Sequence, residues 1–515
     1  MISLVSPAVH TSAIVPLLAL LGCSSTAPPA TVFYASGADL QSINPLLTTH
    51  PLAKQVQRYV LFTTLARYDS AMAPQPYLAE RWAFSPDRRT LTFRLRRDVR
   101  WQDRAPTTAA DVVFTLSAAR AAGYPRAADL GCVTGVSEPD TFTVVLRFCR
   151  PLDAFPDVLT DLAILPAHLL ARLPAESLRT AAFNEHPVGN GPFRFVAHEP
   201  NRRWVFEANP DFPLALGGPP AIDRFVLVVV DEATTKLAGL VTGELDFAGI
   251  APMHAAVVRQ LRGRAVLDYP LLFTYGLVWN TRRPPFDDPR VRRALTLAID
   301  RRRIIAAHLW GYGEVAEGPV PSSHPLTVSV TAVPFDRAAA EALLDSLGWR
   351  RGPDGLRSDG RRRLAFDLLT VGSADNVLEQ LIQADLAAVG VQVRIRPLEL
   401  GAFLAAAGGG ARDYDALVTG IPGDLALGYL GALFDSQRLG GPLQYAQYRN
   451  PAVDRALDAG DVAEVQRIVA RELPITFLYH ARGVQGVNRR VAGVRMDLRG
   501  ELASLAGWHL VPETP

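Results

Sequence analysis

Residues 376–396 read Asn-Val-Leu-Glu-Gln-Leu-Ile-Gln-Ala-Asp-Leu-Ala-Ala-Val-Gly-Val-Gln-Val-Arg-Ile-Arg, and two periods meet in them. Leu378, Leu381, Ile382, Leu386 and Val389 recur at the three- and four-residue spacing that lines one stripe of a helix. Gly390 can take the left-handed conformation that ends such a helix. Val391-Gln-Val-Arg-Ile-Arg396 then alternates apolar with polar, the period of a half-exposed strand. A helix feeding straight into a strand is an αβ unit, and strand-like and helix-like runs alternate through the rest of the chain. The sequence therefore predicts an α/β fold with mixed sheets flanked by helices.

The neighbouring segments agree. Phe225–Val230 is an unbroken apolar run, as expected of a strand covered on both faces. A helix is predicted from Asp288, with Pro289 in its first turn, where the missing N–H costs nothing. Val291, Ala294, Leu295, Ala298 and Ile299 form its buried stripe. Another runs from Asp336 as N-cap to a stop at Gly348, with Ala340, Leu343, Leu344 and Leu347 inward. Residues 350–363 read as a hairpin leading to the strand Leu364–Thr370.

At 515 residues the chain has room for about three domains of roughly 150 residues. Its 49% hydrophobic and 20% charged residues exclude a disordered tail or a coiled coil. A formal charge of +2, from 53 basic against 51 acidic residues, is too even to imply a nucleic-acid partner. Lys54 and Lys236 are the only lysines, an arginine skew that fits a GC-rich genome better than a binding surface.

Residues 1–22 contain no Lys, Arg, Asp or Glu, and Ala13–Gly22 is almost wholly apolar. Ten residues rise about 15 Å as a helix, half a bilayer core, so this is the length of a signal-peptide apolar region. Leu20-Leu-Gly-Cys23 follows and resembles the lipobox of bacterial lipoproteins, although the usual basic opening is missing. That resemblance implies a signal peptide over 1–22, a diacylated Cys23 and a Pro/Ala-rich tether over 23–30. No later stretch offers 18 consecutive apolar residues. Export would place Cys132 and Cys149 in an oxidising compartment. Cys132–Ser137 and Thr141–Cys149 read as two strands about a Glu138-Pro139-Asp140 turn, which brings the thiols within disulfide reach. The other reading is two buried free cysteines acting as small apolar side chains.

Enzyme signatures are missing: no Gly-x-Ser-x-Gly, phosphate-binding loop, His-Glu-x-x-His or Cys-x-x-Cys occurs. No two of the ten histidines are three or four residues apart, so no helical metal face is expected, and neither a metal nor a cofactor. Asp287-Asp288 opens a helix, where capping explains an acidic pair better than acid–base chemistry.

Several blocks stand in a fixed order: Leu78-Ala-Glu-Arg-Trp82, Thr92-Phe-Arg-Leu-Arg-Arg-Asp-Val-Arg-Trp101, Gln102-Asp-Arg-Ala-Pro106 and Thr108-Ala-Ala-Asp-Val-Val-Phe114. Val188-Gly-Asn-Gly-Pro-Phe193 comes later, then Trp279-Asn-Thr-Arg-Arg-Pro-Pro-Phe-Asp-Asp-Pro-Arg-Val-Arg-Arg-Ala294 and Ala298-Ile-Asp-Arg301. Together, over about 31–485, they resemble the family 5 extracellular solute-binding proteins, the peptide- and nickel-type receptors of bacterial ABC importers. The resemblance implies a periplasmic-binding-protein-like clamp (type II, cluster C) of two lobes with an extra domain. Domain I would combine 24–66, 187–271 and 486–515; domain II would be 67–186; domain III would be 272–485. It further implies a monomer, lipid-anchored in the cell envelope, that captures peptides and hands them to permease subunits without altering them.

Of the site residues, Asp424 in Gly420-Ile-Pro-Gly-Asp424 stands where peptide receptors of this family carry the carboxylate for the ligand's ammonium group. Gly423 and Ile421 would flank it, Ile421 replacing the family's usual Trp. The alternative for Asp424 is an Asx-type turn. Thr48, Thr49 and His50, after Asn44-Pro-Leu46, match a pocket-edge segment, or else form an ordinary loop. Other ligands of the same scaffold are a nickel chelate, haem, an opine or an oligosaccharide; a secreted hydrolase or chaperone is the reading from another class.

Overall fold

Two long antiparallel strands, Arg264–Trp279 and Ile475–Asn488, run side by side from one half of the molecule to the other. The structure, a computed structural model, describes residues 29–48, 50–121, 124, 126–152, 154–372, 376–408, 412–441 and 443–512. The lipobox with Cys23, and Thr49, lie outside the described residues. The crossing pair sits in the middle of an 11-stranded sheet. On one side follow Phe247–Gly249, Thr31–Ser36, Arg224–Val229, Arg203–Ala208 and Phe193–Glu199, which form the first lobe. On the other follow Ala416–Pro422, Ala365–Val371 and Gln392–Leu398, the sheet of the second lobe. The ladder between the crossing strands shifts register between Pro270 and Thr274, where a proline without an N–H can be accommodated. At the adjacent pair, Tyr269 and Gly483, the tyrosine ring lies so close that a Cβ on Gly483 would fall 2.2 Å from it.

Attached to the first lobe is a four-stranded antiparallel sheet in the order Ala79–Phe84, Thr90–Leu95, Thr143–Phe148, Val133–Asp140. The helix Ala109–Ala121 packs on it, and its buried residues join the sheet's and the first lobe's in one continuous apolar core. Separate apolar clusters fill the two faces of the second lobe's sheet.

Local signals place the elements much as the sequence predicts. The Asp288 carboxylate accepts from the Arg290 N–H at 2.8 Å and starts the helix Pro289–Leu297. Asp336 accepts from Ala339 N at 2.9 Å and starts Arg337–Ser346. Gly390 has φ +82° and separates the helix Val377–Ala388 from the strand Gln392–Leu398. The cysteine hairpin differs in register. It turns at Thr141-Phe142 rather than at 138–140, because the Asp140 carboxylate accepts from Phe142 N (3.0 Å) and Thr143 Oγ1 (2.7 Å). Cys132 and Cys149 are joined by a disulfide, with Cα atoms 5.1 Å apart.

His480, 3% exposed on a crossing strand, bonds through Nδ1 to Thr274 Oγ1 at 2.9 Å. Burial pushes its pKa down to about 4, against a weaker upward pull from Glu314. The folded protein thus resists a proton that the unfolded chain accepts near pH 6.5. Stability should fall as the pH drops from about 6.5 to 4, by up to about 3 kcal/mol from this group, and level off below. Urea midpoints at pH 7 and 4.5 measure the loss; His480→Gln should reduce it, and an unchanged slope would assign the acid sensitivity elsewhere.

Candidate functional site

The directions of the strands locate the cleft. Thr31–Ser36 runs parallel to Arg224–Val229 and Phe247–Gly249, and their C-terminal ends point along the crossing pair toward the second lobe. Ala416–Pro422 runs antiparallel to Arg264–Trp279 and parallel to Ala365–Val371, so the second lobe's strand ends point back. The segments after Ser36 and after Pro422 therefore face one another, and in open α/β sheets ligands bind at such carboxyl ends. Thr48 and His50 belong to the first segment; Gly423 and Asp424 open the second.

Asp424 is held firmly. Its Oδ1 accepts from the N–H groups of Ala426 and Gly428, both at 3.0 Å, and Oδ2 from Tyr429 N at 2.9 Å, at the entry to the helix Tyr429–Phe434. Three acceptances leave a carboxylate about one lone-pair direction for a further donor. Space is tight at Gly423: a Cβ there would come 3.1 Å from the Tyr429 ring and 3.3 Å from Leu272. Ile421, the other residue expected to flank Asp424, lies near the end of the strand Ala416–Pro422. Strand alternation turns it inward opposite Thr274, and it is buried in the second lobe's core. His50 caps the turn into Pro51–Val56; its N–H donates to Thr48 Oγ1 at 3.0 Å, and its buried Nδ1 has no partner among the described residues. Burial holds its pKa below the usual histidine value.

The sequence reading missed a buried cluster of charges on the first lobe. Asp161 binds Lys54 Nζ (3.0 Å), Arg58 Nη1 (3.0 Å) and Arg126 Nη1 (3.1 Å). Arg126 also reaches Asp157 at 2.8 Å and Asp129 at 2.7 Å. Burial works against ionisation of Asp161, but the three cations outweigh it and hold its carboxyl well below the usual range. Asp157 goes the other way: burial raises it against the pull of Arg126, and the carboxylates of Asp161 and Asp424 push in the same direction. The influence of Asp424 on Asp157 reaches across the cleft.

Beside this cluster lies a cavity of about 440 Å³, within the size range of small-molecule sites. The first lobe contributes Arg58, Arg67, Arg499 and the tyrosines 59, 68 and 77; Leu425, next to Asp424, comes from the second lobe. Among the described residues no group of three or more His, Cys, Asp or Glu side chains could hold a metal ion, and no helix is long and apolar enough to cross a membrane.

Two lobes on a pair of crossing strands, with facing strand ends and a cavity walled by both, define a clamp that encloses a small solute. The model of the bacterial extracellular solute-binding proteins, family 5, matches residues 73–437, and the chain belongs to that family. It is 25% identical over 495 residues to the oligopeptide-binding protein AppA of Bacillus subtilis, covering 91% of this chain and 89% of the relative. It is 27% identical over 484 residues to the probable di/tripeptide-binding protein 5 of Pseudomonas aeruginosa, covering 87% of each. The solved structure of Bacillus subtilis AppA with a nonapeptide superposes with a TM-score of 0.74 at 23% identity, over 94% of this chain and all of that one. NikZ of Campylobacter jejuni with Ni(L-His) gives 0.76 at 23% identity, with the same coverage.

Proposed function

We propose that this protein is the extracytoplasmic receptor of a peptide-importing ABC system, closing around a peptide and presenting it unaltered to the permease. The observation that carries the reading is the polar cavity closed jointly by Leu425 on one lobe and the arginine–tyrosine wall on the other. A ligand held there makes contacts available only in the closed form and so favours closure. The peptide ligands named for the relatives support the choice of solute. Domain I (24–66, 187–271, 486–515), domain II (67–186) and domain III (272–485) would move as two bodies about the crossing strands. The protein acts as a monomer, carries out no covalent chemistry, and is held at the membrane by lipid on Cys23, so that Cys23→Ser should release it from membranes.

Screening peptides of two to nine residues by thermal unfolding tests the function. A ligand at about 100 times its Kd should add about 2.7 kcal/mol to folding by mass action. The peptide recovered afterwards should be intact. A screen in which no peptide moves the transition, or one in which peptides are cleaved, would overturn the reading.

A further inference from the structure

We propose that the turn at Leu214 is a membrane contact, resting on the lipid bilayer beside the chain's anchor and setting how the first lobe stands there. This rests on the reading of Cys23 as the lipid-bearing residue and adds to it which face of the receptor meets the lipid.

Between Asp211 and Asp223 stand eleven residues without a polar side chain, Phe-Pro-Leu-Ala-Leu-Gly-Gly-Pro-Pro-Ala-Ile. Phe212, Leu216 and Ile222 are buried in the first lobe's core and pin the loop to it. Leu214 points the other way and is 87% exposed. Hydrogen bonds fix the turn that carries it. The N–H groups of Leu216 and Gly218 both donate to the Pro213 carbonyl, at 2.9 and 3.0 Å, and Gly217 N donates to the Leu214 carbonyl at 3.1 Å. Gly217 and Gly218, with φ of +116° and +74°, take the positions that a side chain resists. The backbone therefore holds one leucine outward, and Ala215, Pro219 and Ala221 of the same loop are exposed too. Apolar surface presented in this way marks a contact with something apolar.

Ala30 shows what covers it. Its N–H donates to Asp223 Oδ2 at 2.7 Å, and its carbonyl accepts from the N–H groups of Asp223 and Arg224 at 2.8 and 3.1 Å. The chain thus enters the first lobe at the residue that closes the loop. Cys23 stands seven residues before Ala30, and seven residues span at most about 25 Å. A bilayer holding Cys23 lies within that reach of Ala30. Thr31 sits beside Arg224, and from there Thr31–Ser36 and Arg224–Val229 run parallel toward the cleft. With Leu214 against lipid, the cleft is kept clear of the headgroups and open to solutes. Asp211 and Asp223 at the borders of the loop offer anionic headgroups no attraction, so the contact is apolar and indifferent to salt.

The full-length protein, purified from membranes and reconstituted in phosphatidylcholine vesicles, tests the contact. Cys132 and Cys149 are joined and Cys23 would be acylated, so an introduced cysteine is the thiol that takes a nitrobenzoxadiazole dye. On Ala215→Cys the dye should shift to the blue and be quenched by spin-labelled lipid chains, in low and high salt alike. On Leu404→Cys, at a leucine of the second lobe that is 51% exposed, it should do neither. Adding Leu214→Asp to Ala215→Cys should cut the quenching severalfold without moving the unfolding midpoint, since the leucine packs on little. Vesicles that float with the protein while the Ala215→Cys dye stays unquenched, or quenching indifferent to Leu214→Asp, overturn the contact and leave the anchor standing. A blue shift without lipid quenching also overturns it, because another protein surface, such as a second copy, then covers the loop. Protein that fails to float with the vesicles overturns the anchor and the contact together.

Discussion

Asp161→Ala protein should be less stable than the parent by about 3–5 kcal/mol, the range for removing one member of a buried ion pair. Lys54, Arg58 and Arg126 all converge on that carboxylate, and the side chains of Lys54 and Asp161 are only 6% and 11% exposed. Alanine would leave three cations with too few partners in a place water scarcely reaches. Since the folded carboxyl titrates well below its usual range, its stabilisation persists down to about pH 4 and is lost only as the pH falls further. That acid window lies below the one set by His480, so the two can be told apart. Urea unfolding at pH 7 measures the effect; a loss under about 1 kcal/mol would show that the cluster adds little to the fold.

Asp424→Asn should cost a peptide with a free N-terminus about 2–5 kcal/mol of affinity, roughly 30-fold to several-thousand-fold. The amide oxygen can still accept the N–H groups of Ala426 and Gly428, so the turn should survive with a stability loss of about 1 kcal/mol. Alanine would remove the turn and the charge together and confuse the two. N-acetylated peptide should bind weakly to both proteins. If the parent binds acetylated and free peptides alike, the carboxylate serves the helix entry alone.

Much of the fold could be read from local chemistry. Asp288, Asp336 and Gly390 act within a turn of their own position, so their roles as caps and stops show in the sequence. The hairpin turn was misplaced because Glu138-Pro139-Asp140 looks like a turn, while the side chain of Asp140 builds the actual one just beyond it. Ile421 shows a second limit: a motif match does not say which face of a strand a residue occupies. The charge cluster was hidden for another reason. It joins Lys54 to a residue 107 positions further on, and no local period marks such a pair. The one trace was Lys54 itself, a lysine kept in a chain that uses arginine nearly everywhere, at a point where a compact ammonium fits between a carboxylate and a carbonyl.

Glu501 and Trp508 complete the core of the first lobe. Glu501 accepts from the hydroxyls of Tyr34 and Tyr269, and Trp508, fully buried, stacks on Phe247 with ring centroids 4.4 Å apart. Tyr34 and Glu501 stand 467 positions apart, so the whole second lobe is synthesised before that part of the first lobe's core can close.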